Sequence, residues 1–290
     1  MDAQALEKCI EAEIGKGNKP FFIMSLSGTT VLGGFDDHAA VNDVARKHGI
    51  WHHVDACWGG FLAWADKEKL DGIFDGIERV DSVSMNPHKG WGVPQQCATL
   101  ITNGHKTILK EANRSGAEYL FVESPTAQYD IGDKTLQCGR RADGIKLFLT
   151  LKKHGLDGMR QIANNSLDCA KYVTNAIKAI PDKFTMVNDP MGTNVCFWYI
   201  PPYFRENPSK WTDKVKTQVH HYLYKAQQEH GSVLICPSPL DNGDGQVIPT
   251  FLRLVLKSNK IHLEDMDFIL TEIDRLGKHI TPQVLETEDY

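Results

Sequence analysis

Residues 20–56 read PFFIMSLSGTTVLGGFDDHAAVNDVARKHGIWHHVDA and predict a strand, a helix and a second strand in that order. The apolar runs PFFIMSLS and IWHHVDA are short and rich in aromatic and β-branched residues, which favours strands. Between them, DHAAVNDVARKHG has helical periodicity, with Asp36 or Asp37 as its N-cap and Gly49 as its end. A strand–helix–strand unit of this length makes a right-handed crossover, so we expect two parallel strands.

The first half of the chain contains further elements of the same kind. A helix is predicted over 3–16, and two more strands are predicted at 80–85 and 96–102. Because the first strand arrives only at Pro20, the parallel sheet has few strands and is expected to be incomplete. A long helical stretch then runs from about Thr135 to Ile180, broken near His154-Gly155.

The last third of the chain has a different pattern. FTMVN, NVCFWYI, SVLICP and TFLRLVL are predicted strands, WTDKVKTQVHHYLYKAQQEH is a helix, and a final helix runs from about Leu263 to Gly277. This order is typical of an α+β unit with an antiparallel sheet. We therefore predict an α/β fold, with an incomplete, mainly parallel large domain over 1–165 and a smaller α+β domain over 166–290.

The composition excludes several classes of protein. With 290 residues and 41% hydrophobic residues, the chain can bury a sizeable core. A net charge of -5 without a basic block argues against nucleic acid as a partner, and no apolar run reaches membrane-spanning length. The seven cysteines are spread singly, with no CxxC pair, which is typical of reduced thiols. We expect a cytoplasmic protein.

Three groups of polar residues are predicted at the carboxyl ends of the parallel strands, where open α/β sheets bind ligands. Thr29-Thr30 follows the first strand, Asp55 ends the second, and His88-Lys89 follows the third within SMNPHKGWG. A hydroxyl, an acid and an amine around one crevice suit pyridoxal phosphate, which needs a lysine and an acidic partner for its ring nitrogen. Taken singly, such residues are more often found as strand caps, turn residues or solvated surface residues than at a cofactor.

A metal site at the second strand is a less favoured interpretation. His52 and His53 lie beside Asp55 in the sequence. Adjacent residues of a strand point to opposite faces, so both histidines cannot face one ion together with Asp55.

Longer motifs are more specific than these spacings. The segments SGTTVLGGFD, WHHVDACWGG and DSVSMNPHKGWGVPQQC occur in the order found in the group II pyridoxal-phosphate-dependent decarboxylases, and the sequence closely resembles that family. GDKTLQCGRRAD and NVCFWYIPP are similar to its acidic-substrate branch, which acts on glutamate, cysteine sulfinate or aspartate. The resemblance runs along essentially the whole chain and implies fold type I and a carboxy-lyase that removes the α-carboxyl group.

The resemblance assigns the cofactor residues one by one. It implies that Lys89 is the lysine that binds pyridoxal phosphate covalently and that Asp55 pairs with the pyridine nitrogen. His88 and Asn86 match neighbours of the cofactor phosphate, and Thr30 matches a hydroxyl near the phenolic oxygen of the ring.

Three more residues follow from the same resemblance. Arg253 in FLRLV matches an arginine that binds the distal carboxylate of the substrate, although a charge paired within a strand remains an alternative. Tyr129 in AQYDIGDK falls in a catalytic loop whose tyrosine protonates the substrate, although an ordinary exposed tyrosine is the alternative. Cys57 stands where the family has a small residue under the cofactor ring, and a thiol is small and apolar enough to be tolerated there.

The resemblance also implies a homodimer with a small amino acid as substrate. Family members carry a long region before the position where this sequence begins, with a histidine that stacks on the cofactor and part of the phosphate cradle. We therefore expect the 290-residue chain alone to bind the cofactor weakly. The alternative function is a catalytically silent fragment or paralogue that pairs with a full-length partner.

Overall fold

The computed structural model describes residues 1–104, 107–113, 125–137, 139–241, 245, 247–258 and 260–287. Within these residues the strands form two sheets of four strands each. None of the described helices combines the length and the low polarity that crossing a membrane requires.

The first sheet has the order β1-β2-β3-β4. Its strands are β1 (Phe22–Leu26), β2 (Trp51–Asp55), β3 (Ser82–Met85) and β4 (Thr99–Thr102). The pairs β1–β2 and β2–β3 are parallel, which agrees with the predicted mainly parallel sheet, whereas β4 is antiparallel to β3. The link between β3 and β4 contains only the one-turn helix α3 (Pro87–Gly90), so the chain returns along β3 instead of crossing the sheet.

The helix between β1 and β2 begins and ends at the predicted residues. In α2 (His38–His48), the side chain of Asp37 accepts a hydrogen bond from the N–H of Ala40 at 2.9 Å, and Gly49 takes the left-handed conformation with φ 65°. Helix α1 (Ala3–Gly15) packs beside α2. Their apolar faces cover one side of the sheet through a cluster of Ile10, Ile23, Val41, Val44, Ala45 and Ile50.

The predicted long helix starts later than expected. Helix α5 runs over Gly144–Ala179 and bends at Gly155, whose φ is 65°, at the predicted break. Residues 135–143 lie outside it, and there the Arg140 guanidinium donates to the Thr135 hydroxyl and to the carbonyl of Gln137. The part of α5 after the bend packs its apolar face against both halves of the molecule.

The second sheet is antiparallel, with the order β5-β6-β8-β7. Its strands are β5 (Phe184–Met186), β6 (Asn194–Tyr199), β7 (Cys236–Asp241) and β8 (Val247–Val255). They pack on α5 and on α7 (Asp213–His230) and α8 (Leu263–Gly277) around the largest buried apolar cluster. Short helices α4 (Ile108–Asn113), α6 (Pro202–Glu206) and α9 (Pro282–Glu286) complete the set of described α-helices. The proposed domain boundary at residue 165 falls inside α5 and stays a prediction.

Two strands begin later in the structure than the sequence predicts. Residues 96–98 and 232–235 were expected in strands but lie outside β4 and β7. In each case a side chain binds the backbone instead. The Nδ1–H of His88 donates to the backbone carbonyl of Cys97, and the amide of Gln227 bonds both backbone groups of Ile235. Those backbone groups are therefore not available to a neighbouring strand.

Candidate functional site

Asp55 ends β2 at the carboxyl edge of the first sheet, between Leu26 of β1 and Ser84 of β3. Its Oδ1 accepts a hydrogen bond from the backbone N–H of Cys57 at 2.9 Å and a longer one from the Ser84 hydroxyl at 3.4 Å. The side chain is only partly buried. These bonds fix the orientation of a carboxylate at the edge where ligands of such sheets bind.

Lys89 lies on the one-turn helix α3, directly after β3. Pro87 occupies its first turn, where the missing N–H costs nothing, and the Lys89 N–H donates to the carbonyl of Asn86 at 2.9 Å. Gly90 packs against Phe61 so closely that a Cβ at position 90 would lie 2.1 Å from the Cγ of that ring. The proline and the glycine of SMNPHKGWG therefore restrict the backbone on either side of the lysine.

Three cations gather around the indole ring of Trp58. The Nζ of Lys89 lies 5.7 Å from the ring centroid, the guanidinium carbon of Arg253 lies 5.8 Å away, and the Nζ of Lys257 lies 5.6 Å away. The indole N–H donates to the Oδ1 of Asn194 at 2.9 Å, which fixes the ring. We call Trp58, Lys89, Arg253 and Lys257 the Trp58 cluster.

Cys57 connects the Trp58 cluster to Asp55. Its thiol donates to the Ser84 hydroxyl at 3.4 Å, and that hydroxyl donates to Asp55. Burial raises the pKa of the Cys57 thiol, and the Asp55 carboxylate raises it further, while the hydrogen bond to Ser84 and the Lys89 ammonium lower it. The predicted acid and the predicted amine therefore both lie close enough to this thiol for their charges to act on it.

Arg253 comes from β8 of the second sheet and reaches across to the loop after β1. One of its terminal nitrogens donates to the carbonyl of Thr30 at 2.6 Å, so Thr30 contributes its backbone here. The amide of Asn194 donates to the same carbonyl and to that of Val31. The Nε of Arg253 is buried without a hydrogen-bond partner in the described part of the chain. The guanidinium, which has five N–H donors, therefore keeps donors that Thr30 does not use.

Within the described residues, no side-chain hydrogen bond connects the remaining predicted residues, His88, Asn86 and Tyr129, to the Trp58 cluster. The Nδ1–H of His88 donates to the carbonyl of Cys97 at 2.5 Å, so that nitrogen holds the backbone. Asn86 precedes α3 and is partly buried. Tyr129 lies on a short 3-10 helix (Ala127–Tyr129) with 75% of its surface exposed. Their functional roles stay predictions.

The two histidines of β2 point to opposite faces, as the strand period predicts. His52 is fully buried, where its ring bonds the Ser25 hydroxyl at 2.8 Å. His53 faces the other side and bonds the hydroxyls of Ser82 and Ser84. One ion therefore cannot bind both rings.

Sequence reasoning missed four residues of the site: Trp58, Ser84, Asn194 and Lys257. Trp58 and Ser84 stand inside the quoted motifs, so a closer look at those motifs could have found them. Lys257 follows Arg253 by four positions, at the same-face spacing of an extended chain, which is a weak signal. Asn194 carries no sequence signal, because only the folded chain brings it to Trp58.

The chain is similar to known proteins along most of its length. A family profile described as the pyridoxal-dependent decarboxylase conserved domain matches residues 1–200. The acidic amino acid decarboxylase GADL1 of Bos taurus is 36% identical, over 96% of this chain and 52% of the relative. The cysteine sulfinic acid decarboxylase of Homo sapiens is 35% identical, over 97% and 56%, and the glutamate decarboxylase of Drosophila melanogaster is 35% identical, over 96% and 54%. The chain thus spans about half the length of these relatives.

Solved structures give the same result. The crystal structure of mouse CSAD superposes with a TM-score of 0.86 at 34% identity, over 97% of this chain and 57% of the mouse chain. The crystal structure of Oryza sativa TDC with PLP and tryptamine has a TM-score of 0.79 at 22% identity, over 96% and 54%, and shares the fold. These likenesses confirm the predicted α/β architecture of fold type I.

Proposed function

This chain belongs to the pyridoxal-dependent decarboxylase family, and we propose that it removes the α-carboxyl group of an acidic amino acid with pyridoxal phosphate as its cofactor. The observation that carries this proposal is that Lys89 and Arg253 lie 5.7 Å and 5.8 Å from the centroid of the same Trp58 ring, an amine for the cofactor near a guanidinium for the substrate. The substrate class follows the printed names of the relatives, which concern glutamate, cysteine sulfinate and acidic amino acids in general.

The residues present fit the cofactor in two respects. Asp55 offers a carboxylate at the sheet edge that can accept a hydrogen bond from a protonated ring nitrogen, and Lys89 offers a primary amine whose backbone is fixed by α3. When bound, pyridoxal phosphate supplies an electron-poor ring that stabilises the negative charge left on the α-carbon after loss of carbon dioxide. In this proposal Asp55 keeps the ring nitrogen protonated.

Lys89 and Arg253 then have separate tasks. The amine of Lys89 holds the cofactor between turnovers and must be neutral to do so. Arg253 binds the side-chain acid of the substrate through the N–H groups that Thr30 does not use, and this contact orients the α-carboxyl group. A planar guanidinium held on one side by a carbonyl is suited to orienting a planar acid group.

The other predicted residues complete the proposal. Tyr129 would deliver a proton to the α-carbon from the loop in which it lies. The Nε2 of His88 and the amide of Asn86 would contact the cofactor phosphate, the Thr30 hydroxyl would lie near the phenolic oxygen, and Cys57 would pack under the ring. The exposed position of Tyr129 suits a group that moves toward the site with its loop.

We further propose a homodimer in the cytoplasm. The homodimer is supported by the sequence resemblance, and sedimentation analysis would test it. The cytoplasm is supported by the six described cysteines, which are all free, while Cys138 lies outside the described residues. The alternative, a silent chain that acts through a full-length partner, is not favoured, because the relatives are named as decarboxylases.

The test measures carbon dioxide. The native gene product would be purified from its own cells, supplied with pyridoxal phosphate, and assayed with glutamate, aspartate and cysteine sulfinate. We expect release from at least one acid, lost in Lys89→Ala and retained in Lys260→Ala, which removes an exposed lysine outside the site. No release from any of the three acids would contradict the proposal.

A further inference from the structure

Lys257 is a cation of the Trp58 cluster to which the proposed function gives no task. Its Nζ lies 5.6 Å from the centroid of the Trp58 ring, as close as Lys89 at 5.7 Å and Arg253 at 5.8 Å. The lysine is exposed and stands two residues beyond the end of β8. An exposed lysine is free to point into solvent, so its position over the same ring as the other two cations requires an explanation.

Lys257 and Lys89 also line the same cleft. A narrow cleft next to Trp58 has Thr193 and Val255 as well as the two lysines among its lining residues. The amine that would hold the cofactor and the ammonium of Lys257 therefore face one space.

The register of β8 explains why Lys257 and Arg253 act together. Side chains of an extended chain alternate between faces, so positions 253, 255 and 257 share one side. The guanidinium of Arg253 lies 5.8 Å and the Nζ of Lys257 lies 5.6 Å from the centroid of the Trp58 ring, and Val255 lines the adjacent cleft. The two cations thus form one positively charged edge of the site.

This edge carries more positive than negative charge. Among the described residues, no salt bridge involves Lys89, Arg253 or Lys257, and Asp55, whose charge acts on the neighbouring Cys57 thiol, would be used by the cofactor. Since Lys89 would be engaged by the cofactor, Arg253 and Lys257 are the two cations left, and together they attract an anion with more than one charge. A monoanionic ligand would leave part of this charge without a counterion.

We propose that Lys257 is a specificity-determining residue that binds the side-chain acid of the substrate together with Arg253 and selects dianionic over monoanionic ligands. This inference rests on the proposed function. Arg253, held by Thr30, orients the acid group, whereas Lys257 is a mobile point charge at the rim that adapts to acids of different length and shape. Lys257 therefore acts on affinity and not on the chemical step.

The test measures binding without cofactor or turnover. Calorimetry would give the Kd of glutarate and of pentanoate, a ligand of the same chain length with a methyl group in place of one carboxylate. The proteins would be the unaltered chain, Lys257→Gln, Lys257→Arg, and Lys260→Gln as a control with the same change of charge three residues away. Titrations at low and at physiological ionic strength would show the electrostatic part of the affinity.

We expect the unaltered chain to bind glutarate more tightly than pentanoate. Lys257→Gln should raise the Kd of glutarate about two- to fivefold, the range for a solvent-exposed ion pair, with a smaller change for pentanoate. Lys257→Arg should restore the affinity, Lys260→Gln should leave it unchanged, and physiological salt should reduce the difference between the ligands.

Equal Kd values for glutarate in the unaltered chain and Lys257→Gln would overturn the inference, as would an equal loss in Lys260→Gln. Neither result would affect the proposed decarboxylase activity, which the carbon dioxide assay tests separately. Conversely, a selective loss of glutarate binding in Lys257→Gln would support the inference even if Lys89 failed to attach the cofactor.

Discussion

Replacing Gly90 with alanine tests how firmly the fold seats Lys89. A Cβ at position 90 would lie 2.1 Å from the Cγ of Phe61 and 2.5 Å from its Cβ. Phe61 is only 5% exposed, and the atoms in question are at the base of its side chain, so a rotation of the ring does not relieve the overlap. Either Phe61 or the helix α3 must move.

Two effects of opposite sign decide the magnitude. In a helix without neighbours, replacing glycine by alanine stabilises a protein by about 0.5 to 1 kcal/mol. Adding a carbon to a filled core costs about 1 to 3 kcal/mol. Because the overlap is deep and involves atoms that cannot swing away, we expect the second effect to win, with a net loss of about 1 to 2 kcal/mol in the free energy of unfolding.

Urea unfolding of the two proteins measures this difference, and Gly144→Ala is the matched control. Gly144 is the first residue of α5, and a Cβ there has nothing within 4 Å, so this variant should be as stable as the unaltered chain or slightly more stable. A Gly90→Ala protein that is as stable as the unaltered chain would refute the reasoning that Phe61 and Gly90 together position α3.

Burial lowers the pKa of His52 from 6.5 to about 4, so the unfolded chain binds more protons than the fold between these values. The contribution of neutral His52 to the free energy of unfolding is complete above pH 6.5, and we expect this free energy to fall by about 3 kcal/mol as the pH is lowered to 4. In urea unfolding at a series of pH values, His52→Gln should lack this part of the pH dependence. A pH dependence equal to that of the unaltered chain would contradict the assignment. Asp55→Asn in the native gene product should retain covalent cofactor but slow carbon dioxide release about 100-fold or more, whereas unchanged release would exclude its role at the ring nitrogen. Tyr129→Phe should slow release about tenfold or more with cofactor attachment unchanged, and normal turnover would remove Tyr129 from the mechanism.

The ends of helix α2 and the bend of helix α5 were predicted correctly because local signals mark them. Asp37 caps α2, Gly49 ends it, and Gly155 bends α5 at the predicted break. The errors at β4 and β7 have a different origin. Cys97 and Ile235 lie in apolar runs typical of strands, but distant side chains bind their backbone groups, and a local pattern carries no information about such contacts.

The residues of the candidate site likewise fall into those that local sequence signals identify and those that only the folded chain brings together. Asp55 and Lys89 follow from their place at strand ends and from their motifs, since both belong to the continuous stretch that builds the first sheet. The partners from the second sheet could not be found by spacing. Asn194 and Lys257 reach Trp58 only because the antiparallel sheet packs its β6 and β8 ends against the loop after β1.

The central claim is that Lys89 holds pyridoxal phosphate, and covalent trapping tests it most directly. The 290-residue chain would be mixed with one equivalent of pyridoxal phosphate and reduced with borohydride, which preserves even a short-lived attachment, and the modified lysines would be identified by peptide mass spectrometry. The account predicts that the label lies mainly on Lys89 and that Lys89→Ala loses it, while Lys257→Ala retains it. Label spread over exposed lysines, with the same total amount in Lys89→Ala, would contradict the account.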